Sequence, residues 1–183
     1  MWDISLEKEI QIFEGHSNIV TGLHHSPDGN NIVSSGLDDT VRIWNIESRK
    51  EIEAIDVLVP VCPLYSPDGQ NILSGGSSVR MCNITTQAIT KKFVGHSETV
   101  SFIRFSPDNQ QLASCSYDKT IRIWDFESGK EIKRLSGHSD IIFELHYSSD
   151  GSALVSCSRD KTIRIWDVKS GKKCKKLKGI PIT

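Results

Sequence analysis

The sequence has no apolar run near the ~18 residues that a membrane-crossing helix requires, so no membrane span is expected. Its first residues, Met1-Trp2-Asp3-Ile4-Ser5-Leu6-Glu7, lack both a basic start and an apolar stretch, so no secretory signal is expected. Neither sign of charge is in excess. The 22 Lys and Arg stand against 23 Asp and Glu, a formal net charge of −1, which leaves no global field to attract nucleic acid or an anionic surface. Five cysteines form an odd set without a C-x-x-C spacing, which argues against both a disulfide framework and a zinc site. Helical periodicity is missing, as are a Gly-x-Ser-x-Gly elbow and a phosphate-cradling glycine loop. One local exception to the charge balance is Lys169, Lys172, Lys173, Lys175, Lys176 and Lys178. These suit a solvated outer strand whose lysines deter edge-to-edge pairing.

What is present is a repeat. Ser114-Cys115-Ser116-Tyr117-Asp118-Lys119-Thr120-Ile121-Arg122-Ile123-Trp124-Asp125 returns 42 residues later as the segment from Ser156 to Asp167, and lies upstream as Ser34 to Asn45. Trp2-Asp3 sits a further 42 residues before Trp44, so all four tryptophans share one phase. A fixed period of this size marks stacked units that cannot bury their hydrophobic faces alone. Cys115 and Cys157 occupy one repeat position, which suits small apolar filling in strands of a reduced, intracellular protein, cytoplasmic or nuclear.

Each unit has one plan. A Gly-His pair precedes Trp by 28 residues at His16, His96 and His138. An alternating run (Val20 to His25, Val100 to Phe105, Ile142 to Tyr147) predicts a first strand. Ser26-Pro27-Asp28-Gly29, Ser106-Pro107-Asp108-Asn109 and Ser148-Ser149-Asp150-Gly151 close it as turns. A second strand follows (Asn31 to Ser35, Gln111 to Cys115, Ala153 to Cys157), then a tight turn at Asp38-Asp39, Asp118-Lys119 or Asp160-Lys161. The third strand places Thr120, Arg122 and Trp124 on one face and Ile121 and Ile123 on the other. A fourth runs from Glu131 to Leu135 or from Lys173 to Leu177, and a strand of this outer type is also expected near Ile10, Ile52 and Ile89. Four short strands per period predict an all-β fold of propeller blades. The segment 46–83 is degenerate. Cys82 stands where Trp belongs, Gly76-Ser77-Ser78 replaces the Asp-bearing turn, Asp56-Val57-Leu58-Val59 replaces the Gly-His loop, and the Trp44-to-Cys82 spacing contracts to 38 residues. Pro60 and Pro63 fall in its first strand, where a missing N–H is tolerated only without a ladder partner.

The pattern Gly-His … Ser-x-x-x-Asp-x-x-x-x-x-Trp-Asp resembles the WD-repeat family of β-propellers over essentially the whole chain. The resemblance implies a buried hydrogen-bonded set in each regular unit: His16, Ser34, Asp38 and Trp44; His96, Ser114, Asp118 and Trp124; His138, Ser156, Asp160 and Trp166. Only Ser74 survives in the degenerate unit. The chain is expected to form one propeller region over residues 1–183, with units ending near residues 3, 45, 83, 125 and 167. That makes about four blades of four antiparallel strands plus a leading strand, an open or incomplete ring belonging to a larger propeller.

The three His–Ser–Asp sets invite comparison with a hydrolase triad. Recurrence at one repeat phase, each time tied to a Trp, favours a structural network, so no catalytic residue is assigned. His24, His25 and His146 are best explained by strand alternation rather than by metal ligation. No metal or cofactor is expected. The resemblance implies a non-catalytic scaffold that binds proteins or peptides through the face built by the Gly-His loops and the Asp-bearing turns. The matching positions are Ile19, Thr21, Leu37, Thr99, Ser101, Tyr117, Ile141, Phe143 and Arg159. The alternative is the substrate-recognition part of a larger enzyme or ubiquitin-ligase-type complex whose catalytic domain lies elsewhere. Nucleic acid is not an expected partner, and self-association through open blade faces is.

Overall fold

A computed structural model of the chain describes residues 2–3, 8–9, 12–57 and 61–178. Among these residues every regular element is a strand. A leading hairpin pairs β1 (Trp2–Asp3) with β2 (Lys8–Glu9) antiparallel. The outer strand expected near Ile10 thus falls at Lys8–Glu9; Ile10 and Gln11 lie outside the described residues, and Ile12 and Phe13 belong to no strand. Phe13 instead sets its ring edge-on to Trp44 at 5.8 Å between centroids, as Phe93 does to Trp124 at 5.9 Å.

Four blades follow, each a four-stranded antiparallel sheet with its strands in sequence order. Blade 1 contains β3 (Val20–His25), β4 (Asn31–Gly36), β5 (Thr40–Asn45) and β6 (Glu51–Asp56). Blade 2 contains β7 (Val61–Tyr65), β8 (Asn71–Gly75), β9 (Val79–Asn83) and β10 (Ile89–Phe93). Blade 3 contains β11 (Val100–Phe105), β12 (Gln111–Ser116), β13 (Thr120–Asp125) and β14 (Glu131–Ser136). Blade 4 contains β15 (Ile142–Tyr147), β16 (Ala153–Ser158), β17 (Thr162–Asp167) and β18 (Lys173–Lys178). The first strand of each blade is innermost: β3 packs beside β7, β7 beside β11, and β11 beside β15. The described residues form an open arc of blades.

The turn chemistry explains why blade 4 manages without the proline of Ser-Pro-Asp-Gly. In every blade the serine hydroxyl donates to the Asp two residues on and accepts from the amide five residues on. Ser26, Ser66, Ser106 and Ser148 reach Asp28, Asp68, Asp108 and Asp150 at 2.5–2.6 Å, and Asn31, Asn71, Gln111 and Ala153 donate to them at 2.9 Å. The side chains close the turn, so Ser149 serves in place of Pro.

Pro63 is accommodated by a break in register. β7 pairs with β8 at Val61↔Gly75 and next at Leu64↔Leu73, with Cys62 between them at φ 50°. The proline sits where no ladder bond is due. Pro60 lies outside the described residues.

Alternation in β13 puts both its faces to work. Trp124 packs with Val100, Ile103 and Leu112 against Leu64, Leu73, Val79, Met81 and Phe93 of blade 2. Ile121 and Ile123, with Ala113, Cys115 and Leu135, pack against Ile142, Leu145, Leu154 and Trp166 of blade 4. Between blades 1 and 2, Val33, Val41, Ile43 and Ile55 meet Tyr65 and Ile72. The end faces lack such cover. Ile163 is 42% exposed where its repeat equivalent Ile121 is 0% exposed, and Val20 is 50% exposed where Val100 is 0%.

Candidate functional site: the side-chain networks and the face above them

The strictly alternating third strand brings each Trp over the second strand. In blade 3 the Trp124 indole N–H donates to Ser114 Oγ at 2.8 Å. Ser114 pairs with His96 Nε2 at 2.8 Å, and His96 Nδ1 with Asp118 Oδ2 at 2.8 Å. A serine oxygen that accepts the indole proton has its own hydrogen for Nε2, which leaves Nδ1–H to donate to the carboxylate. Blade 1 repeats the chain through Trp44, Ser34, His16 and Asp38 at 2.8, 2.7 and 2.9 Å. Blade 4 repeats it through Trp166, Ser156, His138 and Asp160 at 2.9, 2.8 and 2.8 Å. In blade 2 Ser74 is buried, and Cys82 lies partly buried at the Trp position with its Sγ 3.7 Å from Asn83 O.

The glycine of each Gly-His pair is dictated by this packing. A Cβ on Gly95 would lie 2.4 Å from Arg122 Nη1 and 2.9 Å from Trp124, and one on Gly15 would lie 2.8 Å from Trp44. A side chain there would push the loop off the indole and separate His from its serine.

Electrostatics fix the protonation states. Burial works against ionising Asp118, but hydrogen bonds from Thr120 and His96 outweigh it and hold the carboxyl at about 2. Asp38 and Asp160 are held well below the usual carboxylate range by bonds of the same kind, again against burial. Burial pushes His96 and His138 downward, opposed by hydrogen bonds to Asp118 and Asp160. The His96–Asp118 and His138–Asp160 pairs are therefore neutral imidazole and carboxylate. As chemistry the set is closed: Ser114 is fully buried, accepts a hydrogen bond from the indole N–H and donates its own O–H to His96. A nucleophile needs a free face toward substrate, and this one has none.

Comparison with known proteins bears on the same segments. The family model described as "WD domain, G-beta repeat" matches residues 7–45, 87–125 and 129–167. The chain belongs to the WD-repeat family. It is 30% identical to periodic tryptophan protein 2 of Arabidopsis thaliana over 136 residues, 71% of this chain and 15% of that protein. It is 30% identical over 131 residues to a guanine nucleotide-binding protein subunit beta of Zea mays, 65% of this chain and 34% of that one. It is 28% identical over 133 residues to the E3 ubiquitin-protein ligase COP1 of Arabidopsis thaliana, 68% of this chain and 19% of the ligase. The chain thus spans between 15% and 34% of the length of these relatives. WD-repeat proteins are in general protein-interaction scaffolds without catalysis of their own. Among the described residues no helix is long and apolar enough to cross a membrane.

Six of the nine loop positions are joined in three backbone pairs on one rim of the arc. Leu37 N donates to Ile19 O at 2.8 Å, Tyr117 N to Thr99 O at 2.9 Å, and Arg159 N to Ile141 O at 2.9 Å. The side chains of Ile19, Leu37, Tyr117 and Arg159 are exposed. Thr21, Ser101 and Phe143 line a separate cavity of about 410 Å³ on the inner wall. Two of the hydroxyls are already engaged: Thr21 meets Ser35 Oγ at 2.8 Å, and Ser101 donates to Ile142 O at 2.5 Å, tying blade 3 to blade 4. His146 pairs with Glu144 at 2.9 Å.

Sequence reasoning missed one member of each network. Thr40, Thr120 and Thr162 donate to Asp38, Asp118 and Asp160 at 2.8, 2.6 and 2.5 Å. The signal was available as Asp-x-Thr in all three regular units. The pairing of Arg42 with Glu51 at 2.6 Å, and of Arg122 with Glu131, was also missed. Those partners stand nine positions apart across a turn, beyond what strand alternation alone connects.

Proposed function

We propose that this WD-repeat chain is a non-catalytic scaffold, cytoplasmic or nuclear, that docks proteins or peptides on the rim carrying Leu37, Tyr117 and Arg159, with Phe143 on the inner wall as a further anchor. The observation that carries this reading is the mismatch between backbone and side chains there. The backbones of Leu37, Tyr117 and Arg159 are fixed by bonds to the neighbouring loop, while the side chains point into solvent. Anchoring costs little ordering entropy when the backbone is already set, and aromatic and Arg side chains dominate binding hot spots. In the same reading the His, Ser, Asp and Trp sets are structural, holding the Gly-His loops under this rim.

The test is direct binding of a purified partner, first found by affinity capture with the full chain. Tyr117→Ala, Phe143→Ala and Arg159→Ala together should weaken it by at least tenfold, each site contributing about 1–2 kcal/mol, without moving the melting curve. Unchanged affinity would place the docking surface elsewhere.

Two further readings each have an observation behind them. The match to COP1 supports a substrate-recognition role in a larger ligase-type complex. The end faces support association with further blades, including those of a second copy: Val20 and Leu23 on blade 1 are the uncovered equivalents of Val100 and Ile103, and Ile163 and Leu177 on blade 4 those of Ile121 and Leu135. Light scattering across a dilution series distinguishes a lone arc from paired ones.

A further inference from the structure

On the side of the arc opposite the Gly-His loops, the ends of β3, β7 and β11 enclose a second cavity of about 430 Å³. That volume is in the range of small-molecule sites, about 300–1,000 Å³. His24, His25, Tyr65, Arg104 and Asn109 line it, and among the described residues no carboxylate does. Arg104 lays its guanidinium over the Phe102 ring at 5.2 Å and, among the described residues, has no ion-pair partner; its Nε is buried without a hydrogen bond. The Tyr65 hydroxyl and Nδ1 of His24 are likewise buried without partners.

The nearby acids are spoken for. Asp28, Asp68 and Asp108 are held in their own turns by Ser26, Ser66 and Ser106, and Glu144, which lines the adjoining cavity of about 410 Å³ together with His24 and Arg104, is bonded there to His146. A guanidinium and an imidazole that line one cavity without a lining carboxylate form an unfavourable arrangement that a bound anion reverses. Unmet buried donors cost about 1–3 kcal/mol each, so a ligand that meets them binds with that advantage.

We infer that this cavity is an oxyanion site, with Arg104 as the fork, His24 and the Tyr65 hydroxyl as further donors, and a phosphate group as the ligand. It is separate from the docking rim and does not depend on it. His24 sits low because of burial first and the Arg104 charge second, with a backbone hydrogen bond at His25 opposing and the His25 charge adding a smaller push. A bound anion beside it raises it again, so the His24 titration moves upward on binding. Burial first, then the charge of Asp28, pushes the Tyr65 phenol up to about 12, so it stays a donor throughout.

The test is calorimetric titration of the full chain with inorganic phosphate in oxyanion-free buffer at about pH 6 and about pH 8, alongside the His24 ring resonances. Saturable binding, with the His24 titration moving upward on adding phosphate, is expected. Arg104→Gln should weaken it at least ~tenfold. Tyr65→Phe, which removes one oxygen, should weaken it less and keeps the question open to decision if Arg104→Gln fails to fold. A parallel arm with a short phosphoserine peptide separates sources: tighter binding than phosphate points to a phosphorylated chain, equal binding to a free anion. Absence of saturable binding, or a His24 titration indifferent to phosphate, overturns the assignment.

Discussion

Blades 2 and 3 are neighbours with the same four strands and the same Ser-Pro-Asp turn, yet they are pinned at their upper ends by different means. Blade 3 carries the complete chain from Trp124 to Asp118. Blade 2 keeps only Ser74, with Cys82 at the Trp position. What blade 2 has instead is a backbone bridge: Val100 N donates to Gly76 O at 2.7 Å, and Gly76 N returns to Val100 O at 3.3 Å. A Cβ on Gly75 would meet Val100 O at 2.7 Å, so the glycines are what allow the strands to approach. Strand pairing and apolar stacking are therefore enough to make a blade. The side-chain network adds a fixed position for the Gly-His loop, which matters where that loop carries a rim.

The largest expected effect comes from the position where the two blades differ most in size. Trp124 is 1% exposed and packs against Leu64, Leu73 and Phe93. Trp124→Ala removes that packing and leaves Ser114 and His96 without their terminal donor, so it should cost about 3–5 kcal/mol. Cys82→Ala at the matching position of blade 2 should cost under about 1 kcal/mol, since no buried donor depends on it. Paired urea denaturation midpoints would settle the difference. Equal losses would mean that blade 2 leans on its Cys82 as blade 3 leans on its indole.

Asp118→Ala comes next. It strands His96 Nδ1–H and the Thr120 hydroxyl in a site where the Asp118 side chain is 3% exposed, a loss of about 2–3 kcal/mol. The same carboxylate gives the protein an acid-sensitive window. Its folded pKa, about 2, is below the ordinary 3.8. The stability it contributes is therefore complete above about pH 4 and is lost as pH falls toward about 2. His96 and His138 are also shifted down from 6.5. Their contribution is complete above about pH 6.5 and declines below it, so the wild type should weaken in two stages on acidification. In Asp118→Ala the lower stage should shrink, because the carboxylate that titrates in it is gone. Chemical denaturation at stepped pH reads both, and a wild-type midpoint constant from pH 7 to pH 4 would remove the neutral-imidazole assignment.

Much of the frame was legible because the signals are periodic and short-ranged. The strands of blades 3 and 4 follow from alternation and from Ser/Asp turns, each a matter of adjacent residues. Less visible were features that depend on the third dimension. The register break at Cys62-Pro63 replaces a ladder bond the proline cannot make, and nothing in the sequence says where the break falls. The Gly76–Val100 bridge crosses between blades, and Thr120 joins its network through a turn. The sequence placed the loop positions in one group, whereas the fold divides them: Ile19, Leu37, Tyr117 and Arg159 on the rim, Thr21, Ser101 and Phe143 on the inner wall. Alternation along β11 and β15 turns alternate residues inward, and that is where the division arises.

The finest test of the contrast uses a single hydroxyl. Ser114 and Ser74 occupy the same repeat position and are both buried. Ser114 Oγ accepts from Trp124 and serves His96, so Ser114→Ala leaves an indole N–H and an imidazole nitrogen unmet, at about 1–3 kcal/mol. Ser74→Ala removes a hydroxyl from a blade with neither indole nor imidazole at those positions, and its expected change is within about 0.5 kcal/mol. Amide exchange in β12 and β8 localises each loss. Faster exchange confined to β12 in Ser114→Ala, with β8 unaltered in Ser74→Ala, is the outcome that a loop-fixing network predicts. Comparable loosening of both strands would mean that the serine serves the sheet itself, and that the histidine, carboxylate and indole were added to a contact the blade already needed.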